Sequence, residues 1–234
     1  MVNKSSPVSG ERDGKPSASK LEAISLCRGF HKANYEFEWY GDRNAADEGT
    51  ARHLHEEQQT PLDYIDDDER RLCAHRARQA IEWCRETLGI DGEVQRELRL
   101  WWDDKWSGQL DYVELDGGKA LVADYKMLRG VHPPARQNVQ ILAQACLLVK
   151  NFDEAFGVSA ALIEPFGDPV YSTCSFTREF LLGKGRELTR IVDEAMVEGA
   201  PRTASSTACK WCSAMPFCPE ARTLITETME KFAV

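Results

Sequence analysis

Leu121-Val122-Ala123-Asp124-Tyr125-Lys126-Met127 is the stretch on which the fold of this chain turns. Side chains along a β-strand alternate between the two faces of a sheet. Leu121, Ala123, Tyr125 and Met127 therefore share one face and can meet a core. Val122, Asp124 and Lys126 share the other, so an acid and a lysine become same-face neighbours. Just upstream, Asp116-Gly117-Gly118 is a turn signal. Residues 109–115 before it read as the partner strand, with Gln109, Asp111 and Val113 on a common face. A hairpin turning at those glycines brings Asp111 close to Asp124.

Working outward, residues 93–102 read as a first strand, with Val94, Leu98 and Leu100 apolar. Residues 93–127 then form an antiparallel meander. Pro133-Pro134 breaks the pattern, and a helix is expected over 136–149, its apolar positions Val139, Leu142, Ala143, Cys146 and Leu147 suited to packing on a sheet. Two more strands are expected at 158–164 and 169–176. Thr177 can cap a helix reaching about Glu198, and a short helix over 221–232 ends the chain. On the N-terminal side, Ser19 can cap a helix running through Leu21, Ile24, Leu26 and Phe30. A second helix starts after Gly49-Thr50 and carries His53. A third covers about 67–88 and stops at Gly89. This order of helices, three strands, a helix, two strands and helices predicts an α/β (α+β) fold: a central mixed sheet flanked by helices.

At 234 residues and 42% hydrophobic, the chain suits one domain with a real core. We expect residues 1–16 to be a disordered lead-in and 17–234 a single domain ending in a cysteine-rich region, 205–234. No apolar run reaches the length of a membrane helix, and the N-terminus has no apolar core of a secretory signal, so the expected location is the cytoplasm. A net charge of −9 speaks against a broad basic coat for nucleic acid. It leaves room for a carboxylate site that loads a divalent metal, because the ion reverses the local field. No phosphate-binding glycine loop is present, so ATP hydrolysis is not expected.

Two carboxylates and one ammonium in a patch favour a hard cation such as magnesium or manganese, since close carboxylates repel unless a cation sits between them. The plainer account is an exposed hairpin face with an ordinary ion pair. Of the 8 cysteines, Cys73, Cys84, Cys146 and Cys174 are scattered through helix and strand patterns and suit buried thiols. Cys209, Cys212 and Cys218 crowd into a short polar loop, which suits a metal or cluster needing a fourth thiolate. Cys27 and Cys174 are the candidates for it. Trp101, Trp102 and Trp106 suit core or cross-strand packing, with base stacking as the rival account.

Four further pieces appear in a telling order. Gly49-Thr50-Ala51-Arg52-His53 is followed by Glu57; then come Gly108-Gln109-Leu110-Asp111, Val122-Ala123-Asp124-Tyr125-Lys126 and Asn138-Val139-Gln140. Together with the cysteines, this series resembles the RecB-like branch of the PD-(D/E)XK nucleases, in particular phage-type and CRISPR-associated exonucleases with a cysteine cluster. Leu110 stands where the superfamily name has proline, and Gln144 stands in place of the tyrosine of the family's Gln-x-x-x-Tyr motif. The resemblance implies a magnesium- or manganese-dependent DNA exonuclease. His53, Asp111, Asp124 and the carbonyl of Tyr125 would bind the metal, with Glu57 orienting His53. Lys126 would activate or orient water, leaving a 5′-phosphate and a 3′-hydroxyl. Gln140, Gln144 and Arg136 would contact nucleic acid; for the two glutamines, an amide pair on a solvated helix face is the alternative. The resemblance also implies Cys27, Cys209, Cys212 and Cys218 around a [4Fe–4S] cluster, with zinc as the alternative. Any helicase or recombination partner would be a separate chain. The rival functional reading is a nuclease fold that holds DNA ends or a protein without cutting.

Overall fold

The computed structural model describes residues 14–37 and 44–232. The expected lead-in falls outside these residues except for Gly14, Lys15 and Pro16. That short piece lies along the domain: Ser107 N–H donates to the Pro16 carbonyl at 3.1 Å, and Lys15 pairs with Asp104 at 2.7 Å. The helices are α1 (Leu21–Leu26), α2 (Phe30–Glu36), α3 (Asn44–Glu57), α4 (Asp68–Leu88), α5 (Val139–Asn151), α6 (Arg178–Met196), α7 (Ser206–Cys209) and α8 (Pro219–Phe232). The strands are β1 (Glu93–Trp102), β2 (Trp106–Asp116), β3 (Lys119–Tyr125), β4 (Gly157–Ile163) and β5 (Tyr171–Thr177).

They form one five-stranded mixed sheet in the order β1-β2-β3-β4-β5. Only β3 and β4 run parallel. Parallel neighbours need a long crossover, and α5 supplies it. The mixed sheet with helices on its faces is the architecture the sequence predicts, and β1 has the predicted limits. On one face lie α1, α5 and α6, over a core that includes Val113, Val122, Leu147 and Leu162. On the other lies α4, packed through Ala77, Ala80 and Ile81 on Tyr112, Leu121, Ala123 and Tyr125. β3 is therefore buried on both sides, and the face carrying Asp124 is not the solvated hairpin face that the plainer account requires.

Local chemistry explains the helix ends. Asp67 caps α4 by accepting from Arg70 N–H at 2.8 Å, and Gly89 ends it at φ 59°, a left-handed angle that costs glycine little. Several boundaries shift by one to three residues, α5 running Val139–Asn151 where 136–149 is expected, and two differ by more. The first helix does not continue to Phe30: it stops at Cys27, and Gly29 N–H donates to the Pro201 carbonyl at 2.8 Å. A Cβ on Gly29 would meet Arg202 Cγ at 2.6 Å, so the break lets the chain close against residues 200–202. The second helix starts before Gly49-Thr50, at Asn44, so that pair sits inside α3. Thr50 donates its hydroxyl back to the Ala46 carbonyl at 2.9 Å, which satisfies it within the helix. Glu48 pairs with Arg52 at 2.7 Å and with Arg70 at 2.5 Å across to α4. Those two guanidiniums, Arg70 first, hold the Glu48 carboxyl down at about 2.

Trp102 and Trp106 stack in the core with centroids 5.8 Å apart, as packing rather than as exposed platforms. The Trp102 ring also fixes how closely α6 approaches: a Cβ on Gly185 would fall 2.1 Å from it, whereas one on Gly183 meets only Arg186 at 3.9 Å. Two alanine substitutions one half-turn apart should thus have opposite signs. Gly185→Ala is expected to destabilise by about 1–3 kcal/mol through overpacking. Gly183→Ala is expected to stabilise by about 0.5–1 kcal/mol through helix propensity. Urea denaturation of the two variants against the parent measures both, and a Gly185→Ala midpoint at or above the parent's would contradict the packing.

Candidate metal centre

The β2–β3 ladder sets the centre of the site. Its last paired positions are Tyr112 and Ala123, and one step on stand Asp111 and Asp124. Asp111 turns its Oδ2 to the neighbouring strand and accepts from Tyr125 N–H at 2.8 Å. Asp124 is 2% exposed and points toward α5. Its Oδ1 accepts from Gln140 Nε2 at 2.6 Å and from Gln144 Nε2 at 3.2 Å. Its Oδ2 lies 2.6 Å from Lys126 Nζ as an ion pair and takes no further hydrogen bond among the described residues. Lys126 Nζ also donates to Gln140 Oε1 at 2.9 Å. Asn138 caps α5 by accepting from Ile141 N–H, which starts the helix so that Gln140 and Gln144 lie one turn apart over Asp124.

α3 supplies His53. Its Nδ1 stands 3.7 Å from Asp111 Oδ2. Burial pulls the imidazole pKa down, with Asp124 opposing and Lys126 adding to the fall, which favours the neutral ring that a metal needs. Asp111 is pushed well above the usual carboxylate range, first by burial and then by the charge of Asp124.

The sequence reading misses one member of the group. Glu97 in β1 faces Asp111 at the one place where the β1–β2 pairing skips, and it has φ 50°, left-handed in mid-strand. Ligand atoms of His53, Glu97 and Asp111 all lie within 4.8 Å of one another. Glu97 Oε2 accepts from Gln109 Nε2 at 2.6 Å, and Gln109 Oε1 accepts from Arg99 Nη2 at 2.5 Å. Burial raises the Glu97 pKa, and the nearby charges of Glu57 and Asp124 push the same way. Once Trp102 is known to pair with Trp106, position 97 falls opposite 111.

Two clefts meet at this group. One, of about 670 Å³, is walled by α3 from Ala46 to Glu57. The other, of about 280 Å³, is walled by Ser17–Ser19, Gln140 and Gln144. Glu97, Gln109 and Asp111 line both. The convergent donor atoms are the His53 imidazole and the carboxylates of Glu97 and Asp111, with the buried Asp124 carboxylate beside them. That is hard-cation chemistry and fits magnesium or manganese.

Other expected residues fall differently. Gln140 and Gln144 are not a solvated pair; both amides turn inward on Asp124 while lining the smaller cleft. Arg136 is exposed on the turn Ala135–Gln137 and lines neither cleft. Glu57 is exposed in the larger cleft, and no hydrogen bond among the described residues joins it to His53.

Cys27, Cys209, Cys212 and Cys218 line one apolar pocket between α2 and the C-terminal region. Cys174 is on β5 and lines no part of it. All four are free thiols, and Thr203 N–H points at Cys27 Sγ from 3.3 Å. Burial raises the Cys212 thiol, and the three other cysteines add to the rise. Among the described residues no three of the sulfurs lie within 4.8 Å of one another. A zinc ion with bonds of about 2.3 Å would draw tetrahedral sulfurs to roughly 3.8 Å.

No protein-family model matches the chain, and no curated protein matches it. Solved structures with similar outlines include that of SSO0001, with TM-score 0.41 and 12% identity, covering 92% of this chain and 90% of that one. A phage-related exonuclease from Haemophilus somnus 129PT has TM-score 0.38 and 14% identity, covering 77% of this chain and 92% of its own. LHK-Exo in complex with dAMP has TM-score 0.36 and 11% identity, covering 79% and 89%.

Proposed function

We propose that this protein is a divalent-metal-dependent deoxyribonuclease, acting as an exonuclease, with a [4Fe–4S] cluster on its four C-terminal-pocket cysteines. The observation that carries the proposal is the gathering of Asp111, Asp124 and Lys126 at the frayed end of one antiparallel ladder, with the lysine 2.6 Å from the buried carboxylate. His53, Asp111, Asp124 and the Tyr125 carbonyl would hold magnesium or manganese. When bound, the cation polarises a phosphate oxygen and lowers the pKa of water beside it. The chain does the rest. Asp111 and Asp124 fix the attacking and scissile groups relative to one another. Lys126, anchored by Gln140, orients the attacking water through Nζ and steadies the charge that develops on phosphate. The water oxygen bonds to phosphorus as its proton passes to solvent, and the P–O3′ bond breaks with the departing oxygen taking a proton from solvent, leaving a 5′-phosphate on one product and a 3′-hydroxyl on the other. The clefts on either side give a strand a way in and a way out.

The test is release of label from end-labelled linear DNA with manganese or magnesium. Asp124→Asn and Lys126→Ala are each expected to lose about 10²–10⁴-fold in rate. Undiminished cleavage by both variants would remove the assignment. Binding of DNA by the parent with no cleavage in any divalent metal would replace it with the end-binding alternative. Nicking of closed circular DNA would overturn the exonuclease mode alone.

For the cysteine pocket, four thiols lining one cavity support a bound metal group, read as a cluster with zinc as the alternative. Anaerobically purified protein is expected to be brown, with about four irons and four sulfides per chain. Cys212→Ser should lose the colour. A colourless protein carrying one zinc per chain would reverse the choice.

A further inference from the structure

We propose that Glu97, a strand residue outside every motif read from the sequence, is a ligand of the divalent cation at this site, and that Gln109 is its positioning residue. The inference rests on the reading that the site binds a hard cation; it does not require that the site cut DNA. Three facts carry it. First, the three-way convergence of ligand atoms within 4.8 Å is made by His53, Asp111 and Glu97, with Glu97 standing at the position opposite Asp111. Imidazole plus two carboxylates is a ligand set, not merely an acidic cluster. Second, Gln144, 1% exposed and lining the smaller cleft with Glu97 and Asp111, has its Oε1 buried with no hydrogen-bond partner. Its Nε2 donates to Asp124 and to the Gln109 carbonyl, which fixes the amide's orientation and leaves an acceptor suited to a cation's water. Third, Glu97 is clamped on the far side: Arg99 holds Gln109, and Gln109 holds Glu97. Such partners orient metal ligands, and their loss commonly weakens metal binding about 10- to 100-fold.

The experiment is a manganese titration of the full chain, with unbound ion read by electron paramagnetic resonance and the bound spectrum recorded at low temperature. Glu97→Gln keeps the shape and a partner for Gln109 but removes the charge; it is expected to weaken manganese binding by about 10- to 100-fold and to change the bound spectrum. Gln109→Leu, at an exposed position, is expected to weaken it by about tenfold with the unfolding midpoint unchanged. Asp47→Asn, which removes a charge from the same cleft without touching the group, should stay within about twofold of the parent. A Glu97→Gln affinity within about twofold of the parent overturns the ligand assignment, as does equal weakening by Asp47→Asn. Tight manganese binding that depends on Glu97, in a parent that leaves DNA intact, keeps the assignment and discards the nuclease reading. DNA cleavage by a parent whose manganese affinity ignores Glu97 does the reverse.

Discussion

Asp124 has to keep a carboxylate buried in a strand covered on both faces, and much of the site follows from how that is done. Removing such a group from water costs several kcal/mol unless partners replace the hydration. The partners here are Lys126, just past the end of the same strand, and the amides of Gln140 and Gln144 from α5. The crossover helix is thus both the connection that a parallel β3–β4 pair requires and the lid on the acid. Gln140 serves two roles at once, donating to Asp124 and accepting from Lys126. Truncating it would leave an acid and an amine each short of a partner.

The readable part of this site is the part with strong local punctuation. Asp116-Gly117-Gly118 announces its turn, so the register that brings Asp111 to Asp124 follows from the sequence. The preceding hairpin turns through Asp103 and Asp104, both left-handed at φ 43° and 57°, without a glycine to mark them. Aspartate tolerates that region, but its presence does not announce it. The β1–β2 register was therefore hidden, and with it the position of Glu97 opposite Asp111. Helix limits failed for another reason. Gly49-Thr50 looks like a start on local preference, yet ion pairs to α4 extend α3 back to Asn44. The stop at Cys27 depends on residues 200–202, far along the chain.

Cys27 lies more than 180 positions before Cys209, and the same pocket receives both. Around it, Arg28–Glu194, Lys32–Glu198 and Arg202–Glu36 also tie α1 and α2 to the chain's last third. These are partly or fully exposed pairs, which as a class contribute about 0–1 kcal/mol each. A group bound by all four thiolates, as proposed, would close a loop of similar length and bring metal–ligand free energy with it.

α3 carries His53 yet buries fully only Arg52 and Glu56, both charged. Its grip on the body runs through Glu48–Arg70, Glu56–Arg78 and the Arg52 guanidinium on the Met127 carbonyl. Polyanions and high ionic strength compete for those same guanidiniums. Were the proposed cleavage to fall in concentrated salt, two effects would mix: weaker attraction of the phosphate backbone, and loosening of the wall that presents the imidazole. A salt titration alone cannot count phosphate contacts in a protein fastened this way.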